Sequence, residues 1–466
     1  MKRSLLFLLG ILPVSCFISF IITGCAQVGT PTGGPRDSIA PKLVSAQPNL
    51  KSTNFKGNKI VLTFDEYVDV QDVQTNVLVS PFPKISPTIS FKLKTVSIKL
   101  KDTLKENTTY AINFGNAIRD NNEGNPFKNF TYVFSTGDFV DSLTLSGKII
   151  VSETGKADST ISAILYRNAH DSAVQTRKPD YLTKPDGQGN FTFTNLSAGS
   201  YKVYALKDGD GGKTYNSAIE EFGFINDIII LPDSTKPVTL YAYAEEKDPK
   251  KTATSKDAPG KTAADKRLKY TTSLTTLQQD LNNDLAITFN RKIKTWDSTK
   301  IKLTDTLLNS IPGVSFNLDS TRKIINIRSK WPPETKYFLI LNKEVVTDTL
   351  GTQLLKSDTL KFTTKKPEDY GNLSIRFSNL VKEKHPVLQF FKGDVLVKSV
   401  AINSTNWSEK LMEPGEYELR ILYDDNNNGK WDPGNYKKKI QPEKGITLDK
   451  RLTIKANWDN EREVKL

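Results

Sequence analysis

Cysteine and histidine are scarce in this chain of 466 residues, which contains two of each. Cys16 and Cys25 lie near the N-terminus, whereas His170 and His385 lie in different parts of the chain. The sequence also lacks the G-x-S-x-G, H-E-x-x-H and glycine-rich phosphate-loop patterns of common catalytic sites. These absences exclude most histidine-based chemistry, and we expect a protein that is not an enzyme.

The charge balance is basic, with 65 lysines and arginines against 52 acidic residues and a formal net charge of +13. The excess is mostly lysine and is spread along the chain, and no segment combines clustered arginines with aromatic residues. Because a nucleic-acid surface needs such clustering, we expect no nucleic-acid partner. An excess of this kind favours contact with acidic polysaccharide or anionic lipid headgroups.

The N-terminal segment is typical of a lipoprotein signal peptide. Two basic residues precede an apolar run from Leu5 to Ile22, which ends in the lipobox-like sequence Ile22-Thr23-Gly24-Cys25. We expect residues 1–24 to be removed and Cys25 to be lipidated, so that the membrane is a partner through the lipid anchor. The alternatives are a transmembrane helix over the apolar run and an ordinary core cysteine at position 25.

Residues 25–37 are rich in glycine, proline and threonine, and we expect a flexible tether there. Removal of Cys16 with the signal peptide would leave Cys25 as the remaining cysteine, so that no disulfide can form. The anchor predicts an outer-membrane lipoprotein. The sequence does not decide whether the protein lies on the periplasmic face or on the cell-surface face of that membrane.

From residue 38 the sequence changes to short runs in which apolar and polar residues alternate. Such alternation of β-branched and aromatic residues predicts half-buried strands. The runs are Ile60–Phe64, Val96–Leu100, Tyr110–Phe114 and Phe130–Phe134. Several strands at this spacing predict an antiparallel β-sandwich over residues 38–137.

Parts of this segment carry a family resemblance. Ile39–Pro48, Lys59–Val68, Asn107–Tyr110 and Phe134–Thr136 resemble the SbsA-type bacterial Ig-like domain. The preceding sequence Pro31–Asp37 resembles the leader of Ig-like lipoproteins of the Bacteroidota. The resemblance implies an Ig-like sandwich carried by an envelope lipoprotein.

Residues 138–245 have a different turn pattern. Their centre, Gly189–Ala205, resembles the prealbumin-like or Cna-B-type sandwiches, in which an Asn-Leu-x-x-Gly turn joins two strands. The alternation within this stretch predicts strands with one inward face, whatever the family. Residues 246–267 contain almost no large apolar side chain, and we expect a disordered linker.

After the linker, the first half of the chain repeats. Asp284–Ile293 parallels Asn58–Tyr67, and Pro414–Asp425 parallels Ala198–Gly209. These parallels predict a second Ig-like sandwich over residues 268–366 and a second prealbumin-like sandwich over 367–466. The expected fold class is all-β, with tandem antiparallel β-sandwiches after a lipoprotein signal peptide.

One loop has the spacing of a calcium site. Asp424, Asn426, Asn428 and Asp432 occupy positions 1, 3, 5 and 9 of a loop with glycine at position 6, which resembles the EF-hand pattern. The bidentate glutamate of position 12 is missing, and the same residues favour a solvated turn. Calcium is thus a candidate cofactor, and no other cofactor or metal is expected.

The five tryptophans all lie in the second half of the chain. Exposed tryptophans next to polar loops are a common platform for stacking against sugar rings, although packing in a core is the simpler explanation. Trp431 lies within the Asn-rich loop, and we expect it to be the most exposed and the candidate glycan-stacking residue.

Together these features predict a non-enzymatic, lipid-anchored envelope protein that presents β-sandwich domains for binding or structural spacing. Its expected partner is an envelope protein or a polysaccharide. One alternative is a glycan-binding accessory lipoprotein. The other is a polysaccharide hydrolase, because a pair of catalytic carboxylates that are distant in sequence has no short motif.

Overall fold

The structure is a computed structural model that describes residues 36–232, 236–247 and 267–466. The predicted signal peptide, Cys25, most of the predicted tether and most of the predicted linker lie outside the described residues. The chain divides into two compact units, residues 1–140 and 141–466. Among the described residues, no helix has the length and apolar character that crossing a membrane requires.

The first unit contains one sandwich, called sandwich 1. A four-stranded sheet in the order β1-β2-β6-β5 and a three-stranded sheet in the order β4-β7-β9 share its core, and β3 pairs with β8. On β2, Ile60, Leu62 and Phe64 are buried and Lys59 is exposed, as alternation predicts. The elements described between residues 36 and 140 are β1 (Leu43–Gln47), β2 (Lys59–Phe64), β3 (Val68–Val70), α1 (Val73–Asn76), β4 (Leu78–Ser80), β5 (Thr88–Lys92), β6 (Thr95–Lys99), β7 (Thr109–Gly115), β8 (Ile118–Asp120) and β9 (Phe130–Ser135).

The second unit begins with sandwich 2, which lies between Leu143 and Ala242. One of its sheets has the order β13-β10-β17, and the other has the order β12-β11-β14-β15, with β16 paired to β14. Its described elements are β10 (Leu143–Val151), β11 (Ser162–Arg167), α2 (Ala173–Thr176), β12 (Tyr181–Thr183), β13 (Asn190–Leu196), β14 (Gly199–Leu206), β15 (Phe222–Phe224), β16 (Ile229–Leu231) and β17 (Val238–Ala242).

Sandwich 3 lies between Tyr270 and Thr364. Its sheets have the orders β18-β20-β24-β23 and β19-β27-β25-β22, and β21 pairs with β26. Its described strands are β18 (Tyr270–Thr272), β19 (Gln278–Gln279), β20 (Leu285–Phe289), β21 (Ile293–Trp296), β22 (Ile301–Thr304), β23 (Ser315–Leu318), β24 (Ile324–Arg328), β25 (Lys336–Leu341), β26 (Val346–Asp348) and β27 (Asp358–Thr364).

Sandwich 4 lies between Gly371 and Lys465. Its sheets have the orders β31-β28-β35 and β30-β29-β32-β33, with β34 paired to β32. Short 3-10 turns span Ser298–Lys300, Pro367–Asp369 and Lys382–Lys384. The described strands of sandwich 4 are β28 (Gly371–Ser378), β29 (Pro386–Lys392), β30 (Val395–Ala401), β31 (Asn406–Met412), β32 (Gly415–Tyr423), β33 (Lys444–Thr447), β34 (Leu452–Ile454) and β35 (Asp459–Lys465).

The strand orders confirm the all-β class and the tandem repeat. The strands of sandwich 4 pair in the same order as those of sandwich 2, with β28 in the place of β10 and β35 in the place of β17. Sandwich 3 repeats sandwich 1 in the same way, with the additional strand β19. Each of four hydrophobic cores draws its buried residues from one sandwich. The domain boundaries assigned from the sequence stay predictions.

Antiparallel pairing predominates, and three of the described strand pairs depart from it. β10 pairs with β17, β19 with β27 and β28 with β35 in parallel. In sandwiches 2 and 4 the last strand returns to lie beside the first strand and runs in the same direction. This return produces the parallel pair in each sandwich. The alternation of apolar and polar residues within one strand does not reveal which strand it pairs with or in which direction.

Candidate functional site at the junction of sandwiches 2 and 4

The loop that follows β32 contains the four residues predicted to bind calcium, and the structure brings them together. Asp424 is fully buried, and its carboxylate accepts hydrogen bonds from the backbone N–H groups of Asn428 at 3.1 Å and Gly429 at 2.6 Å. The carboxylate of Asp432 accepts hydrogen bonds from the side-chain amides of Asn426 and Asn428. The loop is closed by its own hydrogen bonds, and calcium binding there stays a prediction.

Glu443 lies outside the calcium-like sequence pattern, yet its side chain contacts the loop. Its buried carboxylate accepts hydrogen bonds from the backbone N–H groups of Asp425 and Asp432, both at 2.9 Å. Burial raises the pKa of Glu443, and the negative charges of Asp424 and Asp432 add to the rise. In the sequence, Glu443 follows the Asn-rich loop. It reaches the loop because the chain returns alongside β32 as it enters β33.

Sandwich 2 has the same loop after β14. The carboxylate of Asp208 accepts hydrogen bonds from the backbone N–H groups of Gly211 at 3.0 Å and Lys213 at 3.2 Å. Glu220 accepts hydrogen bonds from the backbone N–H groups of Gly209 at 3.2 Å and Asn216 at 3.3 Å, as Glu443 does in sandwich 4. The two loops therefore share one construction, in which an aspartate and a later buried glutamate hold the turn.

The acidic groups of this second loop form a cluster. Oxygens of Asp208, Asp210 and Glu220 all lie within 4.8 Å of one another. Asp210 accepts a hydrogen bond from the side-chain amide of Asn216 at 2.7 Å, which is the main reason that its pKa is lowered. The ammonium group of Lys213 pairs with Asp208. Hydrogen bonds and this ion pair therefore occupy the carboxylates of the cluster.

The tryptophans are arranged differently from the expectation. Trp431 is half-buried, and its indole N–H donates a hydrogen bond to the carbonyl oxygen of Glu443 at 2.8 Å. Trp458 is 59% exposed and is the most exposed of the five. The expectation that Trp431 would be the most exposed is therefore wrong, because its half-buried indole is held within its own loop by this hydrogen bond. Its glycan-stacking role stays a prediction.

The segment that follows the Asn-rich loop docks on sandwich 2. Tyr436 is 4% exposed, and its ring lies 5.0 Å from the ring of Phe222 and 5.2 Å from that of Phe224, measured between centroids. Its hydroxyl donates a hydrogen bond to the carbonyl oxygen of Asp171 at 2.7 Å and lies 3.3 Å from the hydroxyl of Tyr204. Burial raises the pKa values of Tyr204 and Tyr436, so both hydroxyls stay protonated.

Glu245, just after the last strand of sandwich 2, fixes the same contact. Its carboxylate accepts hydrogen bonds from the Tyr215 hydroxyl and the Tyr436 backbone N–H, both at 3.0 Å. The side-chain amide of Asn435 donates a third hydrogen bond at 3.2 Å. A half-buried carboxylate with three donors holds the docked segment in one position.

Sandwich 2 contributes a reciprocal contact. The backbone N–H groups of Gly445 and Thr447 donate hydrogen bonds to the carbonyl oxygens of Ser152 at 2.6 Å and Thr154 at 2.9 Å. A Cβ atom at Gly445 would lie 2.1 Å from the carbonyl oxygen of Glu153, so only glycine permits this approach. The contacts of Tyr436, Glu245 and Gly445, called the lock below, join sandwich 2 to sandwich 4.

Comparisons with known proteins give one family match. No curated protein matches the chain. The major pilin subunit BcpA of Bacillus cereus is 10% identical over 69% of this chain and 99% of that chain, with a TM-score of 0.17. The Bacillus anthracis TIE protein is 11% identical over 93% of this chain and 76% of that chain, with a TM-score of 0.17.

Domains 1–6 of the surface layer protein SbsC are 13% identical over 90% of this chain and 41% of that chain, with a TM-score of 0.16. Such low TM-scores carry no argument about function. The family model described as a bacterial Ig-like domain matches residues 37–136, the segment that forms sandwich 1. Residues 37–136 of this chain thus match the bacterial Ig-like domain family.

Proposed function

We propose that the chain is a non-enzymatic, lipid-anchored protein of the cell envelope that presents its β-sandwich domains for binding or structural spacing. The observation that carries this proposal is the junction of sandwiches 2 and 4. A spacer has to resist bending, and tandem domains joined by short linkers usually move relative to one another. The lock around Tyr436 opposes such motion within the second unit.

Sandwich 3 is tied into the same body through sandwich 4. The hydroxyl of Tyr370 donates a hydrogen bond to Asp280 and accepts one from the backbone N–H of Leu281, both at 2.8 Å. The side-chain amide of Asn282 donates a hydrogen bond to the carbonyl oxygen of Leu411 at 2.8 Å. These contacts support a second unit that moves as one piece.

The lipid anchor rests on the sequence. Cys25 follows an apolar run and the small residues Thr23 and Gly24, as a lipoprotein processing site requires. A thioether-linked diacylglycerol with an additional acyl chain buries enough methylene groups for stable anchoring, at about 0.8 kcal/mol for each. We place the protein in the outer membrane, with a polysaccharide or another envelope protein as its partner.

Metabolic labelling with a palmitate analogue tests the anchor. The wild-type chain is expected to be labelled and to fractionate with membranes, whereas Cys25→Ala loses both properties. Cys16→Ala is the matched control and keeps both. Labelling of Cys25→Ala at the wild-type level would refute the anchor. Protease treatment of intact cells then distinguishes the cell-surface face from the periplasmic face.

A further inference from the structure

Trp458 is unusually exposed for a tryptophan. It follows the turn between β34 and β35, and 59% of it is accessible to solvent, whereas tryptophans are highly buried on average. Trp331, by contrast, is 8% exposed and packs on Tyr337 and Phe362. A core role therefore does not account for Trp458.

The backbone holds Trp458 in a fixed position. Its carbonyl oxygen accepts hydrogen bonds from the backbone N–H of Asn372 at 2.9 Å and from the side-chain amide of Asn460 at 3.1 Å. The preceding residue, Asn457, donates its backbone N–H to the carbonyl oxygen of Tyr370 at 2.8 Å. The indole is thus presented from a rigid turn, as a binding platform requires.

The repeat within the chain shows that a connection of this kind does not require an aromatic residue. The corresponding connection in sandwich 2, between β16 and β17, has the sequence Pro232-Asp-Ser-Thr-Lys-Pro237 and contains no aromatic residue. Both sandwiches close with the same strand order. An aromatic side chain at this turn is therefore specific to sandwich 4.

Trp458 lines a cavity of about 470 Å³, a volume within the range of small-molecule sites. Apart from Trp458, its lining combines apolar side chains with charged and amide side chains. Among the described residues, the side chains of Glu368, Lys410 and Asn457 have no hydrogen-bond or ion-pair partner. The lining residues are Pro367, Glu368, Tyr370, Asn372, Lys410, Leu411, Asn457, Trp458 and Asp459.

These groups match the chemistry of a sugar ring. A pyranose has an apolar face of C–H groups, which stacks on an indole, and a rim of hydroxyls that both donate and accept hydrogen bonds. Glu368 accepts, Lys410 donates, and the amide of Asn457 does both. The ammonium group of Lys455 lies 4.6 Å from the centre of the Trp458 ring and adds a cation to the surroundings of the indole.

We propose that this cavity binds a pyranose ring of a polysaccharide, with Trp458 as the stacking platform. The inference deepens the binding role proposed above and names its partner class. It does not depend on the lipid anchor, because the cavity lies within the second unit. Binding and anchoring are therefore measured by separate readouts and can fail separately.

The test uses the full-length chain purified in detergent. Binding is measured by calorimetry with soluble fragments of neutral glucans, mannans and acidic polysaccharides, and by co-sedimentation with insoluble glycans and peptidoglycan. We expect at least one of these to bind the wild type, with affinity about tenfold lower in Trp458→Ala and largely retained in Trp458→Phe. Leu355→Ala removes an apolar side chain of sandwich 3 that is 76% exposed and is the control, with wild-type affinity.

Two results would overturn the proposal. One is that none of the polysaccharides in the panel binds the wild-type chain. The other is that Trp458→Ala binds with the affinity of the wild type. Thermal unfolding of each variant shows whether the fold is intact, and Trp458→Phe separates loss of the platform from any effect of the substitution on folding.

Discussion

The hydroxyl of Tyr436 in sandwich 4 donates a hydrogen bond to the carbonyl oxygen of Asp171 in sandwich 2 at 2.7 Å, across 265 residues of sequence. The ring of Tyr436 is at the same time enclosed by aromatic side chains of sandwich 2. One side chain therefore combines apolar burial with a directed polar contact between two domains. The junction depends on it more than on any exposed ion pair nearby, since such pairs contribute about 0–1 kcal/mol.

Replacement of this side chain tests the lock. Tyr436→Ala is expected to lower the free energy of unfolding of the second unit by about 3–5 kcal/mol, because it removes a buried aromatic ring. Tyr436→Phe keeps the ring and is expected to cost about 1 kcal/mol for the lost hydrogen bond. Urea titration of the full chain measures both, and Tyr67→Ala, at a tyrosine that is 52% exposed in sandwich 1, is the control. Equal stability of Tyr436→Ala and the wild type would contradict the lock.

Gly445 tests the reciprocal contact. Gly445→Ala places a Cβ atom against the carbonyl oxygen of Glu153 and is expected to destabilise the second unit by about 1–3 kcal/mol. Gly187→Ala is the matched control, because no heavy atom lies within 4 Å of the Cβ atom built there. Differential scanning calorimetry is suitable, with a lower unfolding temperature expected for the first variant only. Similar unfolding temperatures for the two variants would show that sandwiches 2 and 4 do not approach at this point.

The ion pair of Asp158 and Lys207 gives stability a pH dependence. The carboxylate of Asp158 lies 2.8 Å from the ammonium group of Lys207, and although burial favours the neutral acid, this partner and Thr160 lower the pKa of Asp158 to about 2. The unfolded chain has an aspartate pKa of about 3.9. Because the folded pKa is the lower one, the contribution is present above about pH 4 and is lost as the pH falls towards 2.

Asp158→Asn is therefore expected to be less stable than the wild type at pH 6, and the difference should shrink as the pH falls from 4 to about 2. Denaturant unfolding at several pH values measures the difference. The control is Asp449→Asn, at an exposed aspartate of sandwich 4, with a small effect at every pH. A difference that stays constant over the whole range would exclude the ion pair as its cause.

Calcium is the remaining cofactor prediction. If the Asn-rich loop binds the ion, calcium at about 100 times its dissociation constant stabilises the protein by about 2.7 kcal/mol, and a chelator reverses the effect. Asp432→Asn removes one of the two carboxylates in the predicted set and should abolish the calcium-dependent rise in unfolding temperature. Magnesium is the control ion, since it demands a tighter octahedral site. No change in the wild-type unfolding temperature at millimolar calcium would reject the prediction.

The strands were predictable because the alternation of apolar and polar residues within each strand is a local feature of the sequence. On β2 and β13, buried and exposed side chains alternate as the sequence does, and the repeated turns place the same strands in both halves. The junction was not predictable. Tyr436 precedes the three lysines 437–439, and nothing in so polar a segment indicates that its ring is buried in another sandwich.

In the candidate site, too, local features were predictable and contacts made by the fold were not. The spacing of Asp424, Asn426, Asn428 and Asp432 is local, and the structure brings these residues together. Glu443 approaches only because β33 returns along β32. The exposure of a tryptophan likewise depends on what its loop packs against, which is why Trp458 and not Trp431 is the exposed one.

The aromatic surface of sandwich 2 also has a consequence for how the protein is made. Tyr204, Phe222 and Phe224 belong to strands that are complete long before Tyr436 is synthesised. Until the C-terminal sandwich arrives, these rings have no partner from sandwich 4, and closing so long a loop costs chain entropy. The junction is therefore expected to be one of the last contacts to form, and until it forms an apolar face of sandwich 2 is left uncovered.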